Sequence, residues 1–287
     1  MNFNLYNQAQ EFESVGKPFL IENEDVYSLF YGVLQGIKAG RYENPLMVTI
    51  EDEGRVVALF QMTPPHPLNI VIMDDTKMDA ILSFAATEFL ERNIHIPSVV
   101  GLKSVVFLFA EKWKELTRLD TRLLMDQGLY RLDKVNQSLE SSRGTWRYAR
   151  KDEAPLIEDW YLAFGNDAGL ENPPMEVVKE RVEQMLNDQE AFFWENQGKV
   201  VSMMKKARPS DHGVTVSLVY TPPEERKKGY ARTMVAAGSE ELLKTYDFCV
   251  LYTDMLNPTS NKIYQEIGYQ KIADSVHIEF VEKDGEL

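Results

Sequence analysis

Residues 222–235 read PPEERKKGYARTMV and join an apolar, β-rich run to a pattern of helical spacing. The stretch concentrates cationic side chains around one glycine, although the formal net charge of the chain is −14. These residues are Arg226, Lys227, Lys228, Gly229 and Arg232. After the glycine, small and apolar residues recur every three or four positions, so we predict a helix that begins near Gly229. Its stripe consists of Ala231, Met234, Val235, Gly238 and Leu242.

The start of this predicted helix is suited to binding an anion. The first backbone N–H groups of a helix have no intrahelical partner, and the helix dipole is positive at that end. Gly229 has no Cβ that could block a close approach of the backbone to a phosphate. We therefore predict a phosphate-binding loop, with a pyrophosphate as its natural ligand. The alternative is a solvated cationic loop that balances Glu224 and Glu225.

The segments around the loop have a regular order. Hydrophobic periodicity and turn residues predict β-α-α-β-β-β-α-β-α-β from residue 145 onward, with the three central strands forming an antiparallel meander. The predicted strands are 145–150, 191–196, 199–207, 213–221, 247–254 and one or two strands within 269–282; the predicted helices are 153–164, 174–188, 229–246 and 258–267. The phosphate-binding loop thus lies between a strand and a helix.

Composition limits the function classes. The 287 residues, 44% of them hydrophobic and 26% charged, predict a folded protein of two domains. Acidic residues outnumber basic ones, 45 to 31, which disfavours binding to nucleic acid or to an anionic membrane. The single cysteine, Cys249, lies in an apolar run and is predicted to be a buried strand thiol. The chain lacks a signal-peptide pattern and an apolar span, so we expect a cytoplasmic protein.

A faint internal repeat suggests two similar halves. GRVVALFQMTPPH from Gly54 resembles GKVVSMMKKARPS from Gly198, 144 residues later. A second similarity aligns Gly128 with Gly268, 140 residues apart. The polar stretch 136–144 lies between the halves, so we predict domains at 1–140 and 143–287. Chance similarity of short strand and turn patterns is the alternative.

Two motifs resemble those of the GNAT superfamily of acyl-CoA-dependent N-acetyltransferases. RKKGYA, residues 226–231, matches the family pattern [QR]-x-x-G-x-[GA], and YTDMLNPTSNKIYQEIGYQK, residues 252–271, resembles its second signature. The resemblance covers residues 145–280 and includes their element order. It implies an α+β GNAT fold, in which helices flank a mixed, mostly antiparallel sheet. It also implies two tandem copies, a degenerate N-terminal half and a catalytic C-terminal half.

The resemblance implies an acetyl-CoA site in the second half. In the family the fourth and fifth strands splay apart, and the backbone of the fourth pairs with the pantetheine arm. The positions implied to bind the cofactor are Val219, Tyr220, Thr221, Arg226, Lys227, Lys228, Gly229, Tyr230, Ala231, Arg232, Asn257, Asn261 and Tyr264. Tyr264 matches the tyrosine that can protonate the departing thiolate, which is a general-acid role. A core tyrosine is the alternative.

The general base is predicted less directly. An amine acceptor must lose a proton before it attacks, and a carboxylate, a histidine or an ordered water can accept that proton. Asp254 ends the fifth strand and is the best-placed candidate, although it could instead cap the following turn. Glu195 is a poorer candidate, and His212 is expected to be a polar turn residue. No His or Cys cluster has metal-ligand spacing, so no metal is expected.

The first half departs from the family pattern at the loop. After the strand pattern of residues 68–74 comes DTKMDAILSFAATEFL, without the glycine motif and with Asp74 and Asp75 at its start. We therefore expect no CoA site there. The half is expected to supply one wall of the acceptor pocket, with aromatic residues such as Phe60 or Trp113, although such residues are more often part of a core.

The sequence thus predicts an N-acetyltransferase that moves an acetyl group from acetyl-CoA to a primary amine. The acceptor is expected to be a small molecule or a peptide, and the amine is expected to attack directly in a ternary complex. The alternative is a non-catalytic acyl-CoA-binding sensor or interaction module. No nucleic acid or membrane partner is expected.

Overall fold

The computed structural model describes residues 1–283. The first half of the chain contains six strands and four helices in the order β-α-α-β-β-β-α-β-α-β. The elements are β1 (Asn2–Leu5), α1 (Ala9–Glu22), α2 (Ser28–Lys38), β2 (Leu46–Asp52), β3 (Arg55–Met62), β4 (Leu68–Ile72), α3 (Met78–Glu91), β5 (Ser98–Leu102), α4 (Lys103–Thr117) and β6 (Asp120–Leu132).

The second half repeats this order, as the sequence predicted. Its elements are β7 (Thr145–Tyr148), α5 (Ala154–Asp167), α6 (Met175–Asn187), β8 (Ala191–Asn196), β9 (Lys199–Ala207), β10 (Gly213–Tyr220), α7 (Tyr230–Leu242), β11 (Phe248–Asp254), α8 (Pro258–Ile267) and β12 (Gln270–Val281). The predicted antiparallel meander is β8, β9 and β10. The closing segment, predicted to form one or two strands within 269–282, forms the single strand β12.

The chain divides into two compact units, of which unit 1 contains most of the first half. It comprises Met1–Leu129, Thr253–Asn257 and the described residues from Lys271 onward. Its strand order is β1-β2-β3-β4-β5-β12, antiparallel except for the pair β4 and β5. One face of the sheet packs against α3 and α4, and the other packs against α1 and α2.

Unit 2 comprises Tyr130–Tyr252 and Pro258–Gln270. Its strand order is β6-β11-β10-β9-β8-β7, and only the end of β6, from Tyr130, belongs to it. The α7 stripe predicted from the sequence lies in one core, where Met234, Val235 and Leu242 are buried. The helices α5 and α6 build a second core on residues such as Phe193 and Met203.

The last strand of the chain belongs to the sheet of unit 1. Unit 1 completes its sheet with β12, which pairs with β5 from Ser275–Leu102 to Glu279–Ser98. Unit 2 correspondingly contains the end of β6. The bounds of these compact units differ from the predicted domain bounds, 1–140 and 143–287, and the domain assignment remains a prediction.

The two sequence repeats have different outcomes. Gly54 and Gly198 both lie in the turn that precedes equivalent strands, β3 and β9, so this repeat marks the duplicated fold. The alignment of Gly128 with Gly268 is wrong, because Gly128 lies inside β6 whereas Gly268 lies between α8 and β12. A glycine with a tyrosine one or two positions later occurs at both sites without structural equivalence.

The two aromatic residues considered for the acceptor pocket lie in a core, and Cys249 is the buried strand thiol that the sequence predicted. Phe60 is fully buried and Trp113 nearly so, both in the cluster between the sheet of unit 1 and its helices α3 and α4. Cys249 is fully buried in β11, and burial raises the pKa of its thiol to about 12. Both the aromatic residues and the thiol therefore have packing roles. Across residues 1–283, no helix has the length and apolar character needed to cross a membrane.

Candidate functional site

The site begins where β10 and β11 separate. Their parallel pairing extends over three residue pairs, from Gly213–Phe248 to Thr215–Val250, although β10 continues to Tyr220. Between Ser217 and Tyr220 the register with β9 shifts, and Leu218 has a left-handed φ of 50°. Such a bulge bends a strand and increases its twist. The sequence at this point thus produces a gap in the sheet beside the predicted arm-binding residues.

Two of the three predicted arm-binding residues end β10, and Thr221 directly follows it. Val219 is half-buried and Tyr220 is buried. The carbonyl of Tyr220 accepts a hydrogen bond from Ser202 Oγ at 3.1 Å, and the Thr221 hydroxyl lies 2.9 Å from the same Ser202 oxygen. Hydrogen bonds with Ser202 therefore hold residues 220 and 221 in place where β10 no longer pairs with β11.

The predicted phosphate loop continues directly from β10 into α7. A short 3₁₀ turn, Pro223–Glu225, follows the strand, and both Lys227 and Gly229 have left-handed backbones, with φ of 62° and 78°. Gly229 is the N-cap of α7 and offers no side-chain acceptor to the first turn. The amides of that turn lack intrahelical acceptors. The local geometry therefore provides N–H donors that suit an anion.

The cations of the loop are largely paired with acidic groups. The Arg226 guanidinium donates a hydrogen bond to the Asp167 carboxylate of α5. It donates a second one, 2.9 Å long, to the carbonyl of Thr221. Lys228 donates to Glu225 at 2.8 Å, and Arg232 donates to Glu266 of α8 at 2.9 Å. Hydrogen bonds from Lys199 and then from Lys228 hold the pKa of the Glu225 carboxyl below its ordinary value. This pairing agrees with the alternative of a charge-balanced loop.

The remaining loop residues have simpler surroundings. Lys227 is exposed, whereas Tyr230 and Ala231 are half-buried, and the Tyr230 hydroxyl accepts a hydrogen bond from Asn196 at 2.9 Å. A pyrophosphate bound here could accept hydrogen bonds from the backbone amides and from Lys227. Arg226, Lys228 and Arg232 would first have to break their ion pairs with acidic groups. The assignment of Arg226, Lys228 and Arg232 to the cofactor remains a prediction.

Residues 136–144, which were predicted only as a polar boundary between the halves, contact the start of α7 through Ser142. Ser142 Oγ donates to the carbonyl of Lys228 at 2.9 Å, and Ser142 N donates to Thr233 Oγ1 at 2.9 Å. A Cβ on Gly229 would lie 2.7 Å from Ser142 Oγ. The glycine is thus required for its backbone conformation and for this close contact. A cavity of about 350 Å³ beside the segment is lined by Asn136, Ser138, Leu139, Glu140, Arg232 and Glu266.

The predicted acid, Tyr264, lies on α8 in the core of unit 2. Its side chain is buried, and its ring packs edge-on against Tyr269 with centroids 6.0 Å apart. Burial raises the pKa of Tyr264 to about 12. The phenol therefore stays protonated at neutral pH, as a proton donor must. One turn earlier, the side-chain oxygen of Asn261 accepts a hydrogen bond from the Tyr130 hydroxyl at 3.1 Å.

The predicted base, Asp254, is the last residue of β11 and is exposed. One of its carboxylate oxygens accepts a hydrogen bond from Leu256 N at 2.7 Å, and its carbonyl accepts one from Asn257 N at 3.0 Å. This is turn capping, the alternative raised from the sequence. Asp254 and Asn257 belong to unit 1, whereas Asn261 and Tyr264 belong to unit 2. The roles of Asp254 and Asn257 in the reaction remain predictions.

The second carboxylate considered, Glu195, is part of an ion-pair network. Arg147 Nε donates to Glu195 at 2.7 Å, and the same guanidinium binds both oxygens of Glu153 at 2.6 and 2.8 Å. Burial raises the pKa of Glu153, but the hydrogen bonds and charge of Arg147 outweigh it, so the net pKa is lowered. This network ties β7 to β8 and to the start of α5. His212 is exposed in the turn before β10.

Residues 197–278, which include the loop, β11 and α8, match the family model described as "FR47-like protein". This part of the chain contains both sequence motifs, at residues 226–231 and 252–271. The match supports the predicted resemblance to the GNAT superfamily over this part of the chain. A comparison with curated proteins gave no significant match.

Solved GNAT structures share the fold over nearly the whole chain. A GNAT acetyltransferase from Colwellia psychrerythraea is 9% identical with a TM-score of 0.60, and the alignment covers 99% of this chain and 100% of that one. A tandem GNAT protein from the clavulanic acid biosynthesis pathway is 10% identical with a TM-score of 0.58, covering 99% of each chain. A GCN5-related N-acetyltransferase from Sphaerobacter thermophilus is 14% identical with a TM-score of 0.61, covering 88% and 87%. These likenesses show the fold, in two copies.

The first GNAT copy has a different loop at the equivalent position. Between β4 and α3, Asp74 caps a 3₁₀ turn and accepts hydrogen bonds from the backbone and hydroxyl of Thr76, at 3.1 and 2.5 Å. Lys77 of the same turn is paired with Asp52 at 2.6 Å. A carboxylate therefore already occupies the start of this helical segment, and it would repel a phosphate. The absence of a CoA site in this half remains a prediction.

Metal binding is not suggested by the described side chains. Within residues 1–283, no group of three or more His, Cys, Asp or Glu side chains could hold a metal ion. The expectation of metal-free chemistry remains a prediction.

The buried thiol and phenol predict how stability depends on pH. Burial raises the pKa of Cys249 and of Tyr264 to about 12, from ordinary values of 9.0 and 10.0. Above those ordinary values the unfolded chain loses protons that the folded chain retains, so the free energy of unfolding falls. Each group contributes a slope of about −1.4 kcal/mol per pH unit once the unfolded state is ionised.

We expect urea unfolding to give constant stability from pH 7 to about 8 and a decline above about pH 9. A Cys249→Ala variant should be less stable at pH 7 but should show a shallower decline. Stability that stays level to about pH 10.5 would contradict the prediction.

Proposed function

We propose that this protein is an N-acetyltransferase that transfers the acetyl group of acetyl-CoA to a primary amine of a small molecule or a peptide. The amine attacks the thioester directly while both substrates are bound. Acetyl-CoA supplies the activated carbonyl and the thiolate leaving group. The protein supplies an extended backbone for the arm, a helix start for the pyrophosphate and a phenol for the leaving sulfur.

The separation of β10 from β11 after Thr215 is the observation that carries this proposal. An extended chain such as a pantetheine arm can add to an unpaired strand backbone in the way that peptides add to sheet edges. The loop from Pro222 to Gly229 follows the same strand, so an arm bound along β10 would reach the start of α7 with its phosphates. The buried Tyr264 lies in the same compact unit.

Proton transfer divides into two tasks. Tyr264 would donate to the departing sulfur, because its raised pKa keeps the hydroxyl protonated throughout the neutral range. The amine must lose a proton, and Asp254 is the proposed acceptor, directly or through water. Solvent water would then take this proton from Asp254 and return one to the Tyr264 phenolate, which restores both groups. Asp254 also accepts the hydrogen bond from Leu256 N through one carboxylate oxygen, so it would act as a base while it holds this turn.

A second candidate function is a non-catalytic acyl-CoA sensor or interaction module. The surroundings of the two candidate bases favour the sensor, because Asp254 accepts a hydrogen bond that caps a turn and Glu195 forms an ion pair with Arg147. The retention of Tyr264 in a buried setting favours the enzyme.

Thiol release from acetyl-CoA distinguishes the two functions. The full chain is incubated with acetyl-CoA and a panel of amines, amino acids, polyamines and peptides, and free CoA is measured with a thiol reagent. We expect at least one acceptor to accelerate release well above hydrolysis. Tight acetyl-CoA binding in calorimetry with no acceptor-dependent release across the panel would indicate the sensor, and no binding would refute both.

A further inference from the structure

Tyr130 lies beside the proposed cofactor site, although no family motif includes it. It is 2% exposed, belongs to the end of β6 within unit 2, and packs in the same core as Tyr264. Its hydroxyl donates to the side-chain oxygen of Asn261 at 3.1 Å. A buried phenol in an apolar core needs such a partner, so the hydroxyl and the amide depend on each other.

The hydrogen bond determines which way the Asn261 amide points. A primary amide carries an acceptor on one side and two donors on the other. When the oxygen accepts from Tyr130, the nitrogen is directed to the opposite side as a donor. Asn261 is half-buried at the start of α8, three residues before Tyr264, and residues at this spacing share a helix face.

We propose that Tyr130 is a positioning residue of the acyl-CoA site: its hydroxyl orients the Asn261 amide so that the nitrogen presents donors to carbonyl groups of the pantetheine arm. This rests on the proposed function, which assigns Asn261 to the arm. It implies that a strand from the first half of the chain contributes to the site in the second half. Tyr130 touches no reacting atom in this role.

The test measures acetyl-CoA binding by calorimetry and turnover with one active acceptor, using the full chain. In Tyr130→Phe the ring stays and the hydroxyl is lost. We expect Kd and KM for acetyl-CoA to rise about three- to tenfold, the range typical for the loss of one neutral hydrogen bond, while kcat stays within about twofold. Asn261→Ala should weaken binding at least as much. In the double variant Tyr130→Phe/Asn261→Ala, affinity should equal that of Asn261→Ala alone, because Tyr130 acts through Asn261.

Tyr27→Phe is the matched control. It removes another tyrosine hydroxyl, which donates to the carbonyl of Ile72 at 3.3 Å in unit 1, and it should leave acetyl-CoA affinity unchanged. Unchanged affinity in Tyr130→Phe, or losses that add in the double variant, would overturn the positioning role. A wild-type protein that binds no acetyl-CoA would instead refute the proposed function itself.

Discussion

A Gly229→Glu variant is expected to lose acetyl-CoA binding by at least about a hundredfold while it stays folded. Its carboxylate would lie at the start of α7, where the pyrophosphate is proposed to bind, so the protein would carry its own competing anion. Two lost charge-assisted hydrogen bonds, each worth about 1.5–3 kcal/mol, account for a change of this size. Calorimetry on the full chain measures the effect and should give one acetyl-CoA per wild-type chain.

Gly198→Glu is the control for this substitution. Gly198 has the same left-handed φ of 78°, and a Cβ added there, in the turn between β8 and β9, would meet no heavy atom within 4 Å. The control therefore adds the same backbone strain and the same charge away from the loop. Gly229→Ala, which adds the Ser142 contact without the charge, should show an intermediate loss. Equal affinities for Gly229→Glu and Gly198→Glu would place the pyrophosphate elsewhere.

A Tyr264→Phe variant is expected to lose about a hundred- to ten-thousandfold in kcat, the usual contribution of a general acid. Acetyl-CoA affinity should change little, because the substitution removes one hydroxyl and keeps the ring that packs against Tyr269. Steady-state kinetics gives the rate and calorimetry gives the affinity. Since the pKa of Tyr264 is raised to about 12, its ionisation should cause no loss of wild-type rate below about pH 11.

Tyr246→Phe provides the comparison for Tyr264→Phe. Tyr246 packs against the same core of unit 2, and burial raises the pKa of its phenol too. It belongs to no motif, so its loss should affect stability rather than rate. Equal kcat values for Tyr264→Phe and Tyr246→Phe would contradict the general-acid role and indicate that Tyr264 is a core tyrosine.

Local sequence patterns predicted most of the fold. The strands β8 and β9 and the helix α8 have the predicted bounds, because alternating or helical periodicity and flanking turn residues act over a few positions. The pairing of β12 with β5 was not predictable in this way. Periodicity shows which face of β12 is apolar, but it carries no information on whether β5 or β11 will be the neighbour.

The candidate site was predicted in part for the same reason. The motif located Gly229 at the N-cap of α7 and Tyr264 on α8, since both depend on local chain geometry. Glu225 was named as a neighbour that could balance the cations, whereas the distant partners Asp167 and Glu266 were missed. Arg226 pairs with Asp167, 59 residues away in sequence, and Tyr130 reaches Asn261 across 131 residues. No local signal marks such pairs. A tyrosine in an apolar strand does indicate that its hydroxyl has a hydrogen-bond partner elsewhere in the fold.

The position of β12 in unit 1 also determines when the first sheet can be completed during synthesis. β5 ends at Leu102 and its neighbour ends at Val281, so a ribosome adds roughly 180 residues between them. At about 5–20 residues per second this takes roughly 10–35 s. Throughout that time one edge of β5 presents unpaired backbone groups, the kind of edge that pairs with other chains. The nascent first half, rather than the finished protein, is therefore where aggregation and chaperone dependence should concentrate.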